Sequence, residues 1–140
     1  MKRDYKIIDG IYLVQDEHEL DLHNNFDFVG LNYSIENQVL LLKWRRSKGD
    51  WVNKNTPASL NIEFREVSEF RFSPRDTKIP FTEDGCINSF GYWVDEEWAE
   101  GVVMVEPNQT PDHDWLTAID FMSGAVIAVQ ASSTHALITA

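Results

Sequence analysis

Two stretches of this chain concentrate side chains that ligate metals or move protons. Asp16-Glu17-His18-Glu19-Leu20-Asp21-Leu22-His23 sets four carboxylates and two imidazoles within eight residues, and both groups bind divalent cations. The spacing suits that task poorly. The two histidines lie five positions apart, so a helix does not put them on one face as an i, i+4 pair, and the order differs from HExxH. The stretch reads as a solvated acidic loop, with a metal-dependent enzyme built on it as the competing reading. Asp112-His113-Asp114 could form half a metal site or a general-base pair, and fits a polar turn after Pro111 equally well. Cys86, Ser89 and Ser123 are the nucleophile candidates near glycines, yet none sits in a G-x-S-x-G elbow, and Met122-Ser123-Gly124 reads as a tight turn. Neither phosphate-cradling glycine motif occurs. These observations assign no catalytic residue, no metal and no cofactor, and the expectation is a binding protein rather than an enzyme.

Recognition chemistry is better represented. In Tyr92-Trp93-Val94-Asp95-Glu96-Glu97-Trp98-Ala99-Glu100, aromatic side chains alternate with carboxylates, the combination of anchors and steering charges that interfaces use. Trp93 reads as core. Asp95, Glu96, Glu97, Trp98 and Glu100 are the first candidates for partner contact, followed by Glu106, Asp112 and Asp114. All 12 lysines and arginines lie at or before Lys78, so residues 79–140 carry ten carboxylates and no Lys or Arg within a chain of net charge −11. A field of that sign repels nucleic acid and anionic membrane surfaces and attracts cationic proteins. The exception is Trp44-Arg45-Arg46-Ser47-Lys48, the one basic patch flanked by aromatics and the one place that could touch a phosphate backbone, although an ordinary strand end with solvated charges is the favoured reading.

The elements that must carry these groups read as strands: short runs of Val, Ile, Phe, Tyr and Trp at period two, separated by Gly, Pro, Asn and Asp. Strands are predicted near Ile7–Val14, Phe28–Ile35, Val39–Trp44, Ser59–Phe64, Glu69–Ser73, Ile87–Val94, Gly101–Val105, Leu116–Phe121 and Ala125–Ala131. Leu60, Ile62 and Phe64 face one way and Asn61, Glu63 and Arg65 the other, with Phe70 and Phe72 continuing the apolar face. Ser34–Gln38 and Met122–Gly124 read as hairpin connections, and Arg45–Pro57 as an exposed loop carrying Trp51. A helix from Asp114 to Met122 fits as well as a strand there, and a second short helix fits Asp95–Glu100. The fold expected is mainly β, with α+β open: one domain over 1–140, an antiparallel curled sheet or sandwich with one or two short helices.

A chain of 140 residues with 43% hydrophobic side chains can build one ordinary core. Ile7-Ile8 is cut off by Asp9-Gly10, so no signal-peptide core forms, and Ala125–Val129 is far too short to span a membrane. The lone Cys86 suits a reducing compartment and reads as a buried, inert thiol. The expectation is a cytoplasmic protein.

Leu40-Leu41-Leu42-Lys43-Trp44-Arg45, Arg75-Asp76 with Pro80-Phe81-Thr82-Glu83-Asp84, Gly91-Tyr92-Trp93, and Phe121-Met122-Ser123-Gly124-Ala125 together give the chain a resemblance. It resembles the immunity proteins of bacterial contact-dependent growth inhibition and related polymorphic toxin systems. The resemblance implies a role more than an architecture: binding and neutralising a cognate toxin, often a nuclease with a basic cleft that an acidic protein can occupy or occlude. It supplies no site positions. An acidic adaptor or nucleic-acid mimic for a housekeeping nucleic-acid-binding protein is the alternative.

Overall fold

The computed structural model describes residues 1–95 and 101–140. Among them, three β-sheets share a single main core and one short 3-10 turn, Phe81–Gly85, lies outside it, so the protein is a mainly-β domain. In the first sheet the order is β1 (Lys2–Arg3), β12 (Ser133–Thr139), β7 (Ser59–Arg65), β6 (Val39–Arg46) and β5 (Phe26–Ser34). In the second it is β8 (Glu69–Ser73), β11 (Val126–Gln130), β10 (Leu116–Phe121) and β9 (Ile87–Trp93). The third is a meander of β2 (Lys6–Ile8), β3 (Tyr12–Gln15) and β4 (His18–Asp21). All pairs are antiparallel except β1 with β12.

Alternation dictates the first sheet. Leu40, Leu42 and Trp44 stand directly opposite Phe64, Ile62 and Leu60, and all six are buried while Lys43, Arg45 and Asn61 point outward. Strands β10 and β11 are apolar almost throughout because both faces are covered. Ile119, Phe121, Ile127 and Val129 enter the main core, and Leu116, Ala118 and Ala128 join Trp93 and Val102 in a small cluster of their own. Aromatic contacts tie the sheets together: Phe28 of β5 meets Phe121 of β10 at 5.0 Å between ring centroids, and Tyr5 meets Phe90 of β9 at 6.3 Å.

Several expectations are corrected. Ile7–Val14 is not one strand: Asp9 (φ 55) and Gly10 (φ 72) both take positive φ, the requirement of a type I′ turn, and fold the run into the β2–β3 hairpin. The acidic stretch Asp16–His23 is not a loop; Asp16 (φ 53) begins a second hairpin turn, and His18–Asp21 is β4, pinned by buried Leu20 and Leu22. Gly101–Val105 contributes a lone bridge between Val103 and Tyr92 in place of a strand. Between Asp114 and Met122 the strand prevails. The helix expected over Asp95–Glu100 falls largely on residues 96–100, outside the described residues. Strands β1 and β12 were not expected, and Phe72 is 57% exposed rather than part of the core. No helix among the described residues is long and apolar enough to cross a membrane.

Candidate functional site

Of the carboxylates proposed for partner contact, Glu96, Glu97 and Glu100, together with Trp98, lie outside the described residues. Asp95 lies two residues beyond the end of β9, and its carboxylate accepts a hydrogen bond from Arg71 Nη2 at 2.7 Å. Arg71 stands on β8 directly opposite Ala128, and it also pairs with Glu69. Asp84 is likewise paired, with Arg75 at 2.9 Å. The acidic half of the sequence is therefore not a half of the molecule, because the β8 region returns two arginines to it.

Glu106, Asp112 and Asp114 remain exposed and without a Lys or Arg partner among the described residues. They sit on the connection from β9 to β10, which local bonds shape. Gln109 N donates to Glu106 O at 2.9 Å, Asp114 N to Asp112 Oδ1 at 3.0 Å, and Gln130 Nε2 on β11 holds Asp114 O at 3.1 Å. His113 lies between two carboxylates, 3.5 Å from Asp112 and 3.0 Å from Asp114. Asp112, His113 and Asp114 form the one group among the described residues whose three ligand atoms lie within 4.8 Å of one another. The triad could coordinate a metal, but each member is exposed, so an ion there would keep much of its hydration shell.

The Asp16–His23 cluster does not converge. His23 turns toward Ile87, with Nδ1 2.5 Å from the carbonyl oxygen, which places the ring proton on that nitrogen. Cys86 Sγ is 3.9 Å from the same nitrogen, so the imidazole presents its protonated side to the thiol and cannot act there as a base. Burial raises the Cys86 thiol above its ordinary range, and Glu83 and Asp27 add to the effect. Cys86 is half-buried rather than buried, and stays in its unreactive thiol form. Ser123 is fully buried, its Oγ accepting from Ala125 N at 3.2 Å within the turn, and Ser89 Oγ donates to Asp120 with no imidazole beside it.

The basic patch begins at a strand end: Arg45 and Arg46 are the exposed last residues of β6, so the loop expected from Arg45 starts only at Ser47, and Trp44 is turned into the core. Arg46 Nη1 donates to Thr56 O at 2.8 Å and folds the loop back, while exposed Trp51 donates through Nε1 to Asn24 O at 2.7 Å. Sequence reasoning missed a different feature. Arg3, which no sequence motif singles out, lies over the buried rings of Tyr5 (5.5 Å) and Tyr92 (5.0 Å). They line a cavity of about 400 Å³ whose other wall is the 107–113 segment, including Asp112 and His113. No spacing signal marks it, because pairing of β1 with β12 and of β10 with β9 brings its walls together.

No protein-family model matches this chain, and the comparisons with curated proteins and with solved structures find no match either.

Proposed function

We propose that this protein is an acidic binding module that neutralises a basic partner, a toxin domain of nuclease type, by occupying or occluding its active site. The observation that carries the reading is the set of exposed carboxylates Glu106, Asp112 and Asp114, without a Lys or Arg partner among the described residues, on one connection of a chain with net charge −11. Such a surface steers a cationic cleft toward it and disfavours nucleic acid. The sequence adds further carboxylates at Asp95, Glu96, Glu97 and Glu100, with Trp98 as the proposed anchor. The reading needs no cofactor and no catalysis, and places the protein in the cytoplasm beside the toxin it restrains. We also read the two larger sheets as layers of a sandwich, since Phe28 of one meets Phe121 of the other.

Co-expression with the toxin domain encoded beside this gene should restore growth. In surface kinetics the purified pair should associate with an on-rate that drops as salt rises. Replacing Glu106, Asp112 and Asp114 together with their amides should lower that on-rate by about threefold or more while leaving the off-rate nearly unchanged. A neighbouring toxin that is neither bound nor inhibited, or a triple variant with unchanged on-rate and salt slope, overturns the proposal.

A further inference from the structure

We infer that the cavity between the N-terminal residues and the 107–113 segment is a binding site for a small organic anion, a carboxylate or phosphate monoester carried on a flat apolar body. The inference is independent of the toxin reading. It rests on Arg3. The guanidinium is half-buried and held over two tyrosine rings that are themselves 4% and 3% exposed, so its orientation is set before any ligand arrives. Its one side-chain hydrogen bond, to Tyr5 Oη, is long at 3.4 Å, which leaves most of its five donors unused. Among the described residues no Asp or Glu lies within ion-pair distance of Arg3 or of Lys6, which lines the same cavity. In a chain of net charge −11, Arg3 and Lys6 line this cavity together with a single carboxylate, Asp112.

The remaining walls define the ligand. Ile7 and the two proline rings of the 107–111 stretch supply an apolar surface, and the Asn108 and Gln109 amides supply neutral donors and acceptors. A volume near 400 Å³ falls within the range of small-molecule pockets, roughly 300 to 1,000 Å³. Asp112, also in the lining, disfavours a ligand with negative charge at both ends. The anion is therefore placed on Arg3 and Lys6, with the apolar body toward the prolines. A purely structural Arg3, covering the tyrosines, predicts no anion binding at all.

Titration calorimetry at fixed ionic strength, with benzoate, phenyl phosphate and inorganic phosphate as probes, separates these cases. At least one aromatic anion should bind saturably with Kd of about 1 mM or tighter, and about tenfold tighter than inorganic phosphate. Comparing benzoate with phenyl phosphate identifies the headgroup. Arg3→Gln should weaken binding about tenfold or more, and Lys6→Gln, at an exposed position, about threefold. Arg45→Gln, at the exposed end of β6 and outside this cavity, should bind like the wild type. No saturable binding of either aromatic anion up to about 20 mM overturns the inference. So does Lys6→Gln binding like the wild type, a readout that holds even if Arg3→Gln cannot be purified folded. Equal loss in Arg45→Gln also overturns it, by showing attraction to cationic surface in general.

Discussion

Glycine 91 shows how one missing side chain sets local structure. A Cβ there would lie 2.6 Å from Val103 O and 2.8 Å from Val102 Cγ1, so only glycine lets the 101–105 segment close on β9. Tyr92 and Val103 then exchange two backbone hydrogen bonds of 2.7 Å, fixing one end of the connection that carries the acidic groups. Gly91→Ala should lower unfolding free energy by about 1 to 3 kcal/mol in a urea titration. Gly85→Ala, whose Cβ would make an ordinary 3.6 Å contact with Phe28 O, should stay within about 0.5 kcal/mol. Tyr5 makes a second residue-scale test. Burial raises its phenol above the ordinary value near 10, Arg3 opposes that shift, and its hydroxyl pairs with buried Thr134 Oγ1 at 2.9 Å. A raised folded-state value means the stabilisation is complete below about pH 10 and is lost as pH climbs through the folded value. Tyr5→Phe should cost about 1 to 2 kcal/mol at pH 7, by stranding Thr134, and should flatten the decline above pH 10. The decline should not vanish, because burial of Tyr92 shifts that phenol in the same direction.

Among the elements, edge strands explain both what the sequence made legible and what it hid. Strands β6 and β7 lie close to their predicted bounds because each has a wet face and a dry one, and period-two alternation reports that contrast. Strand β12 escaped because its inward positions are Thr134, Ala136 and Ile138, while Leu137 faces out at 43% exposure; the apolar signal is weak on one face and misplaced on the other. Strand β1 is two residues long and exists only through its parallel partner. The candidate site followed the same logic: the exposed carboxylates were readable from charge, whereas the Arg3 cavity depends on strand pairing that no local pattern encodes. Phe72 was misplaced for a related reason. It stands opposite buried Ile127, on the core-facing side of β8, but β8 ends its sheet and leaves that side chain at the margin. Phe72→Lys should therefore alter stability by no more than about 0.5 kcal/mol and reduce self-association seen by light scattering, whereas Leu42→Ala, in the interior, should cost about 2 to 5 kcal/mol. Equal losses for the two variants would show that Phe72 is packed after all.

At the scale of the whole molecule, a net charge of −11 on a small domain implies self-repulsion that a few ion pairs only partly relieve. The fold places Arg71 against Glu69 and Asp95, and Arg75 against Asp84, so two of the last basic residues of the sequence offset carboxylates of the acidic 79–140 stretch. The exposed connection with Glu106, Asp112 and Asp114 receives no such relief among the described residues, and its field is what a cationic partner would meet. Raising sodium chloride from about 10 to 150 mM shortens the screening length from roughly 30 to 8 Å, which weakens this repulsion more than it weakens contact ion pairs. Thermal unfolding should therefore move upward with salt, by about 3 °C over that range. Arg71→Gln removes one positive charge, taking the formal net charge from −11 to −12, and should steepen the salt response while lowering Tm at low salt. A Tm that falls as salt is added would mean that attractive pairs dominate the surface, and steering of a basic protein would lose its physical basis.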